Sequence, residues 1–206
     1  VRRTKSESEE TRQRILDAAE TVFLDVGVSR ASLDRIASEA GVTRGAIYWH
    51  FANKQELFAA MIGRVHDLHE AVLARSFIDH EDPLQGVLEW ALEVIDLFAT
   101  EAHTRRVYRI IVTRCEYVGE MQHALAWQCD LHDRMAGNLR QVFETAAAAG
   151  QLAPDWSAPS AATTLQCFMS GMLDNWLRYD FEPGAADTLR VGLRSLVGSF
   201  RARAGQ

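Results

Sequence analysis

The sequence predicts an all-α chain of about nine helices, an N-terminal three-helix head with a helix-turn-helix joined to a larger helical body. Three observations lead there. Apolar residues recur at intervals of three and four through most of the chain. No alternating strand pattern, internal repeat or low-complexity tract interrupts them, and Ala146 to Ala149 read as good helix formers. Two short amphipathic stretches, Ser32 to Ala40 and Thr43 to Phe51, stand either side of Gly41, which is the layout of a helix, a tight turn and a helix.

The first helix is expected over Thr11 to Gly27, where Ile15, Leu16, Ala19, Val22, Phe23 and Val26 form one stripe and Gly27 stops it. Ser32 is an N-cap, with Asp34 in the first turn where the helix dipole favours an acid. Leu33, Ile36, Ala37 and Ala40 line that second helix, and Thr43 caps the third. Asn53 with Glu56 resembles a capping box opening a long helix through Leu57, Phe58, Met61, Ile62, Val65 and Leu68. Further helices are expected at 84–101, 104–117, 119–149, 158–179 and 185–203, punctuated by Pro83, Gly150, Pro154, Pro159 and Pro183-Gly184.

Hydrophobic content of 48% is ample for a packed core. No apolar run is long enough to span a membrane, and no apolar stretch follows Arg2, Arg3 and Lys5, so neither a membrane nor a secretory signal is expected. The three cysteines, Cys115, Cys129 and Cys167, fit no disulfide or zinc framework and favour a reducing cytoplasm. The net charge of −6 is unevenly spread. Residues 1–54 hold nine of the 22 Lys+Arg and eight of the 28 Asp+Glu, which leaves thirteen and twenty for the rest. A near-neutral head can still present a basic face to phosphates, while the acidic remainder stays away from them.

The third helix carries the densest chemistry. Arg44 lies in its first turn, the end that faces base edges in helix-turn-helix proteins, and an arginine there suits bidentate contact to guanine. Gly45 and Ala46 let the backbone approach a groove, and Ala46 suits a thymine methyl. Ile47 and Phe51, four apart, face the core. Tyr48, Trp49 and His50 offer three polar donors to phosphates, and Ser32, Thr43 and Lys54 join the expected DNA-binding set. Arg2, Arg3 and Lys5 read as a disordered basic arm. A plain helical corner with buried aromatics is the alternative. Consecutive side chains point in different directions, so Tyr48, Trp49 and His50 cannot all be buried on one face.

The segment Val42-Thr43-Arg44-Gly45-Ala46-Ile47-Tyr48-Trp49-His50-Phe51, with Asn53-Lys54, resembles the signature of TetR-family transcriptional regulators. More narrowly it resembles the AcrR/TtgR-like multidrug efflux repressors. Arg2-Arg3-Thr4-Lys5, Glu10-Thr11-Arg12, Ile15 to Ala19, Cys115-Glu116-Tyr117 and Ser170 to Leu177 extend the likeness, densely in the head and thinly beyond residue 82. The resemblance implies a homodimeric repressor with a DNA-binding domain over 1–54 and a ligand-binding and dimerisation domain over 55–206. Its partners would be double-stranded operator DNA, a small hydrophobic effector and a second copy of the chain.

The implied effector pocket would be lined by Val65, His66, His69, Trp90, Val94, Tyr108, Ile111, Val112, Trp127, His132, Met135, Gln166, Met169, Ser170 and Leu173. Leu131, Cys115 and Leu139 lie on the same stripes. Methionines adapt to varied ligand shapes, although aromatics and methionines at helical spacing also serve as ordinary core. Dimerisation is expected through Thr163, Cys167, Gly171, Asp174 and Arg178 on the penultimate helix and Leu189, Leu193, Leu196, Val197 and Phe200 on the last. Heads of this kind need a two-fold partner to span half-sites.

His66, His69 and Glu70 match no metal-binding pattern, and no nucleophile elbow, phosphate loop or dinucleotide fingerprint is present. No metal, cofactor or catalytic residue is therefore expected. Two other readings stay open: a TetR-like sensor of a specific metabolite controlling catabolic or lipid genes, and a helical binding module without an operator.

Overall fold

A computed structural model describes residues 5–64, 81–182 and 184–202. Among them lie nine α-helices: α1 (Lys5–Val26), α2 (Leu33–Glu39), α3 (Arg44–His50), α4 (helical over 54–64), α5 (Pro83–Thr100), α6 (Ala102–Arg109), α7 (Gln122–Ala148), α8 (Ala158–Arg178) and α9 (Ala185–Phe200). No strand is present among the described residues, only an isolated antiparallel bridge between Leu152 and Arg201. No helix among them is long and apolar enough to cross a membrane. The chain divides into two compact units, drawn from Val1–Asp67 with Arg106–Trp127 and from Leu68–Arg105 with Gln128–Gln206.

In the first unit, α1 starts six residues before its expected position. Lys5 is its first residue, so this lysine belongs to a helix and not to a disordered arm. Glu7 sits in the first turn, where negative charge is favoured, and Glu9 bonds Gln13 one turn on at 2.7 Å. Arg2 and Arg3 lie outside the described residues. The buried face of α1, Ile15, Leu16, Ala19, Val22 and Phe23, meets Ile36 of α2, Ile47 of α3, and Leu57, Phe58 and Met61 of α4. Phe23 and Phe58 meet edge to face, with centroids 5.9 Å apart. Val107, Ile110 and Met121 complete this core from farther along the chain.

The helix expected over 104–117 ends earlier. After Arg109 the chain widens into a π-helical turn, Ile110–Arg114, and Cys115 is extended. Groups beyond the helix take up its last carbonyls. The Val28 N–H donates to Arg114 O at 2.8 Å, and the Tyr117 hydroxyl donates to Ile111 O at 2.9 Å. Glu20, buried on α1, pairs with Arg106 of α6.

In the second unit, Asp82 caps α5 through the N–H groups of Leu84 and Gln85, both at 3.1 Å, and also takes the Arg201 guanidinium at 2.7 Å. Helix α9 packs against α5 and α8. Its Leu193, Val197 and Phe200 are fully buried, with Phe200 edge-on to Phe143 of α7 at 5.1 Å and to Trp156 at 4.8 Å. Phe181, just past α8, has a left-handed φ of 54°. That conformation costs a bulky residue about 1 kcal/mol or more. Burial between Phe98 and Trp176, at 5.7 and 5.5 Å, offsets it.

Candidate nucleic-acid interface

The turn between α2 and α3 is held by its backbone. Gly41 has φ +64°, which an L side chain resists. The Gly41 N–H donates to Ser38 O at 3.2 Å and the Val42 N–H to Ala37 O at 2.9 Å. That pair of bonds is a Schellman motif, and Val42 packs back on the core as its hydrophobic partner. Each short helix is then capped by a hydroxyl: Ser32 accepts from the Arg35 N–H and Thr43 from the Ala46 N–H, both at 3.2 Å. Each cap engages one lone pair of its hydroxyl oxygen, and both Ser32 and Thr43 are exposed. Asn53 accepts from the Glu56 N–H at 2.8 Å, and the Glu56 carboxylate accepts from Ala52, one residue earlier than a capping box requires.

Helix α3 is anchored from within and bare outside. Ile47 is 0% and Phe51 2% exposed, whereas Tyr48 is 47% and Trp49 73% exposed. Arg44 and Gly45 are exposed, and Ala46 and His50 half-exposed. A Cβ added at Gly45 would meet only Thr43 Oγ1, at an ordinary 3.8 Å, so nothing inside the protein demands a glycine there. Trp49 and His50 meet edge to face at 4.7 Å. Arg44 donates from Nη1 to Asp34 Oδ2 and from Nη2 to the Tyr48 hydroxyl, each at 3.1 Å. The bond to Tyr48, and then the Asp34 charge, push the guanidinium pKa further up. Lys54 turns its ammonium onto the carbonyls of Ser29 and Ala31, both at 3.2 Å, and so ties down the loop before α2.

A model of the bacterial regulatory proteins of the tetR family matches residues 15–61, and one of the MAATS-type transcriptional repressor C-terminal region matches residues 82–190. The chain belongs to the TetR family. It is 40% identical over 178 residues to the HTH-type transcriptional repressor BepR of Brucella suis, covering 86% of this chain and 85% of that protein. The HTH-type transcriptional regulator AcrR of Shigella flexneri is 36% identical over 204 residues, 93% of this chain and 91% of that one. Among solved structures, NalD, the secondary repressor of the MexAB-OprM multidrug efflux pump in Pseudomonas aeruginosa, superposes with a TM-score of 0.85. It is 34% identical and covers 97% of this chain and 100% of that one. A SmeT–triclosan complex superposes with a TM-score of 0.81 at 28% identity, covering 95% and 93%.

In this TetR-family chain, the residues expected around an effector fall in both units. Tyr108, Ile111 and Val112 belong to the first, where Ile111 packs on the core and Val112 is 42% exposed. Trp90, Val94 and Met169 are buried in the second. Met135, Gln166, Ser170 and Leu173 are half-buried there, and His132 is exposed, its carbonyl accepting from Gln166 Nε2 at 3.2 Å. Val65, His66, His69 and the side chain of Trp127 lie outside the described residues.

The expected dimer residues divide by helix. On α8, Thr163, Cys167, Gly171 and Arg178 are exposed and Asp174 is half-buried. On α9 the expectation needs correction: Leu193, Val197 and Phe200 fill the core of their own unit, and only Leu189 and Leu196 reach its edge. The outward face of α9 carries Val191 instead, 63% exposed. Two features escape the sequence reading altogether. Asp34 grips Arg44 across the turn, and Glu20 grips Arg106. The second had a visible signal, since Glu20 sits on the apolar stripe of α1 one turn after Leu16 and one before Phe23.

Proposed function

We propose that the chain is a homodimeric transcriptional repressor that binds a palindromic operator through α3 and is released by small hydrophobic ligands, in control of a multidrug efflux pump operon. DNA reading is assigned to residues 1–54, and effector binding and dimerisation to 55–206, in the cytoplasm. The observation that carries the reading is the outward face of α3, where Arg44, Gly45, Tyr48 and Trp49 stand exposed to solvent on a helix locked by Ile47 and Phe51. The names of BepR and NalD support the repressor role, that of AcrR a role in transcriptional regulation, and that of NalD the connection to an efflux pump.

On this reading Arg44 contacts a base edge, while Tyr48, Trp49, His50 and the Ser32 and Thr43 hydroxyls contact phosphates. Lys54 acts on phosphate and on the loop it ties, so Lys54→Ala weakens all DNA alike. The dimer face is the outer stripe of α8 from Thr163 to Arg178, with Val191 and the edge residues Leu189 and Leu196 of α9. The effector site is assigned to the half-buried and buried residues of the second unit, Trp90, Val94, Met135, Gln166, Met169, Ser170 and Leu173.

Triclosan, the compound in the SmeT complex, is the first probe of release. Its addition is expected to weaken operator binding about tenfold or more, equivalent to about 1.4 kcal/mol of coupling between the two sites. A panel of planar apolar antimicrobials that binds nowhere on the protein would remove the efflux assignment. A response to one metabolite alone would point to a dedicated metabolic sensor.

A further inference from the structure

We propose that Asp34 and Tyr48 are positioning residues that fix the Arg44 guanidinium for one base pair, so that part of the operator preference is set by side chains that read no base. The inference rests on the reading of Arg44 as the base-contacting residue.

An arginine at the exposed start of a helix is long and flexible, and it reaches a phosphate as readily as a base edge. Here both terminal nitrogens are tied: Nη1 to Asp34 Oδ2 and Nη2 to the Tyr48 hydroxyl, each at 3.1 Å. The guanidinium carbon also lies 5.5 Å from the centre of the Tyr48 ring. The anchors come from two different helices, Asp34 from the first turn of α2 and Tyr48 from one turn further along α3. The Gly41 turn fixes those helices to each other, so the charged group is held from two sides.

The donor arithmetic leaves the reading group intact. A guanidinium has about five N–H donors, and a bidentate contact to guanine uses two. Two are engaged by Asp34 and Tyr48, and the remaining three suffice. Asp34 contributes a second effect, because its side chain is 64% exposed beside the proposed groove-facing helix. Against a phosphate backbone it repels. On the correct sequence the Arg44 contact offsets that repulsion, and on random DNA nothing does, which is discrimination by a penalty on the wrong partner.

The test uses the full-length chain and the duplex that the wild-type protein enriches from a randomised library, with its single-base-pair variants and a scrambled duplex. Arg44→Ala is expected to flatten the preference at one base pair in each half-site. Asp34→Ala should lower the discrimination at that same base pair about tenfold, with scrambled DNA bound as tightly as before or more tightly. Tyr48→Phe should lower the discrimination at that base pair in the same way, on top of an equal loss on enriched and scrambled DNA from its missing phosphate contact, and Asp34→Asn, which keeps an acceptor, should fall between Asp34→Ala and wild type. In an Arg44→Ala background, Asp34→Ala should change discrimination no further.

Equal losses on enriched and scrambled DNA in Asp34→Ala and Asp34→Asn, or an Asp34 effect that persists without Arg44, would overturn the positioning role. A flat Arg44→Ala profile beside an unchanged Asp34→Ala profile overturns positioning alone. A preference untouched by Arg44→Ala overturns the base-reading role and positioning with it. Failure of the wild type to enrich any sequence overturns the proposed function as well.

Discussion

Cys115 shows what burial does to a single group. Burial pushes its thiol up to about 11, with the Tyr117 hydroxyl pulling the other way. Only a thiolate attacks a disulfide reagent, so near neutral pH Cys115 is inert while its rate climbs with pH toward that value. At pH 8 a thiol-specific disulfide reagent is expected to modify the exposed Cys129 quickly and Cys115 slowly. The Cys115 rate should then rise about tenfold per pH unit up to about pH 10. Equal rates at pH 8 would contradict the burial. The same contrast of surroundings separates the neighbours in α3, where Ile47 is sealed and Trp49 stands 73% exposed on one short helix. Alternating exposure of this kind was legible from the sequence, because the direction of each helical side chain follows from its number.

At the scale of elements, the turn between α2 and α3 depends on Gly41. No atom lies within 4 Å of a Cβ placed there, so Gly41→Ala pays only for the left-handed backbone at φ +64°. The expected cost is about 1–2 kcal/mol in thermal or denaturant unfolding. Thr43→Ala should cost about 1 kcal/mol through its lost cap. A Gly41→Ala variant as stable as wild type would contradict the Schellman turn. The caps of α2, α3 and α4 were legible because Ser32, Thr43 and Asn53 act on backbone a few residues away. The π-helical turn at Ile110–Arg114 was not, and the Val28 N–H that meets Arg114 O comes from a part of the chain far away in sequence. Leu193, Val197 and Phe200 mislead for a related reason. An apolar stripe announces that it will be buried, but a core and a dimer interface present the same pattern. The burial of Glu20 was signalled by its place on the apolar stripe of α1, but its partner Arg106 lies 86 residues away, beyond the reach of any local rule.

On the proposed function the whole molecule acts as a dimer, so that two copies of α3 meet successive half-sites. Sedimentation is expected to show a dimer at micromolar concentration without ligand. Gly171 offers a clean perturbation, because a side chain there meets nothing within 4 Å of its Cβ inside the protomer. Gly171→Arg should leave the fold intact and weaken the dimer about a hundredfold, and Cys167 should become more reactive as the dimer dissociates. An unchanged association constant would place the interface elsewhere. The family and the architecture of the head were legible because Val42 to Phe51 must serve the turn, the core and the outer face at once. The effector was not, because apolar residues such as Trp90 and Met169 satisfy packing and ligand binding equally well. The most direct test of the account is the ratio of affinities for enriched and scrambled duplexes, measured with the purified dimer at a stated salt concentration. The expected result is a two-fold-symmetric enriched sequence bound about a thousandfold or more above scrambled DNA. Equal affinity for both duplexes would contradict it.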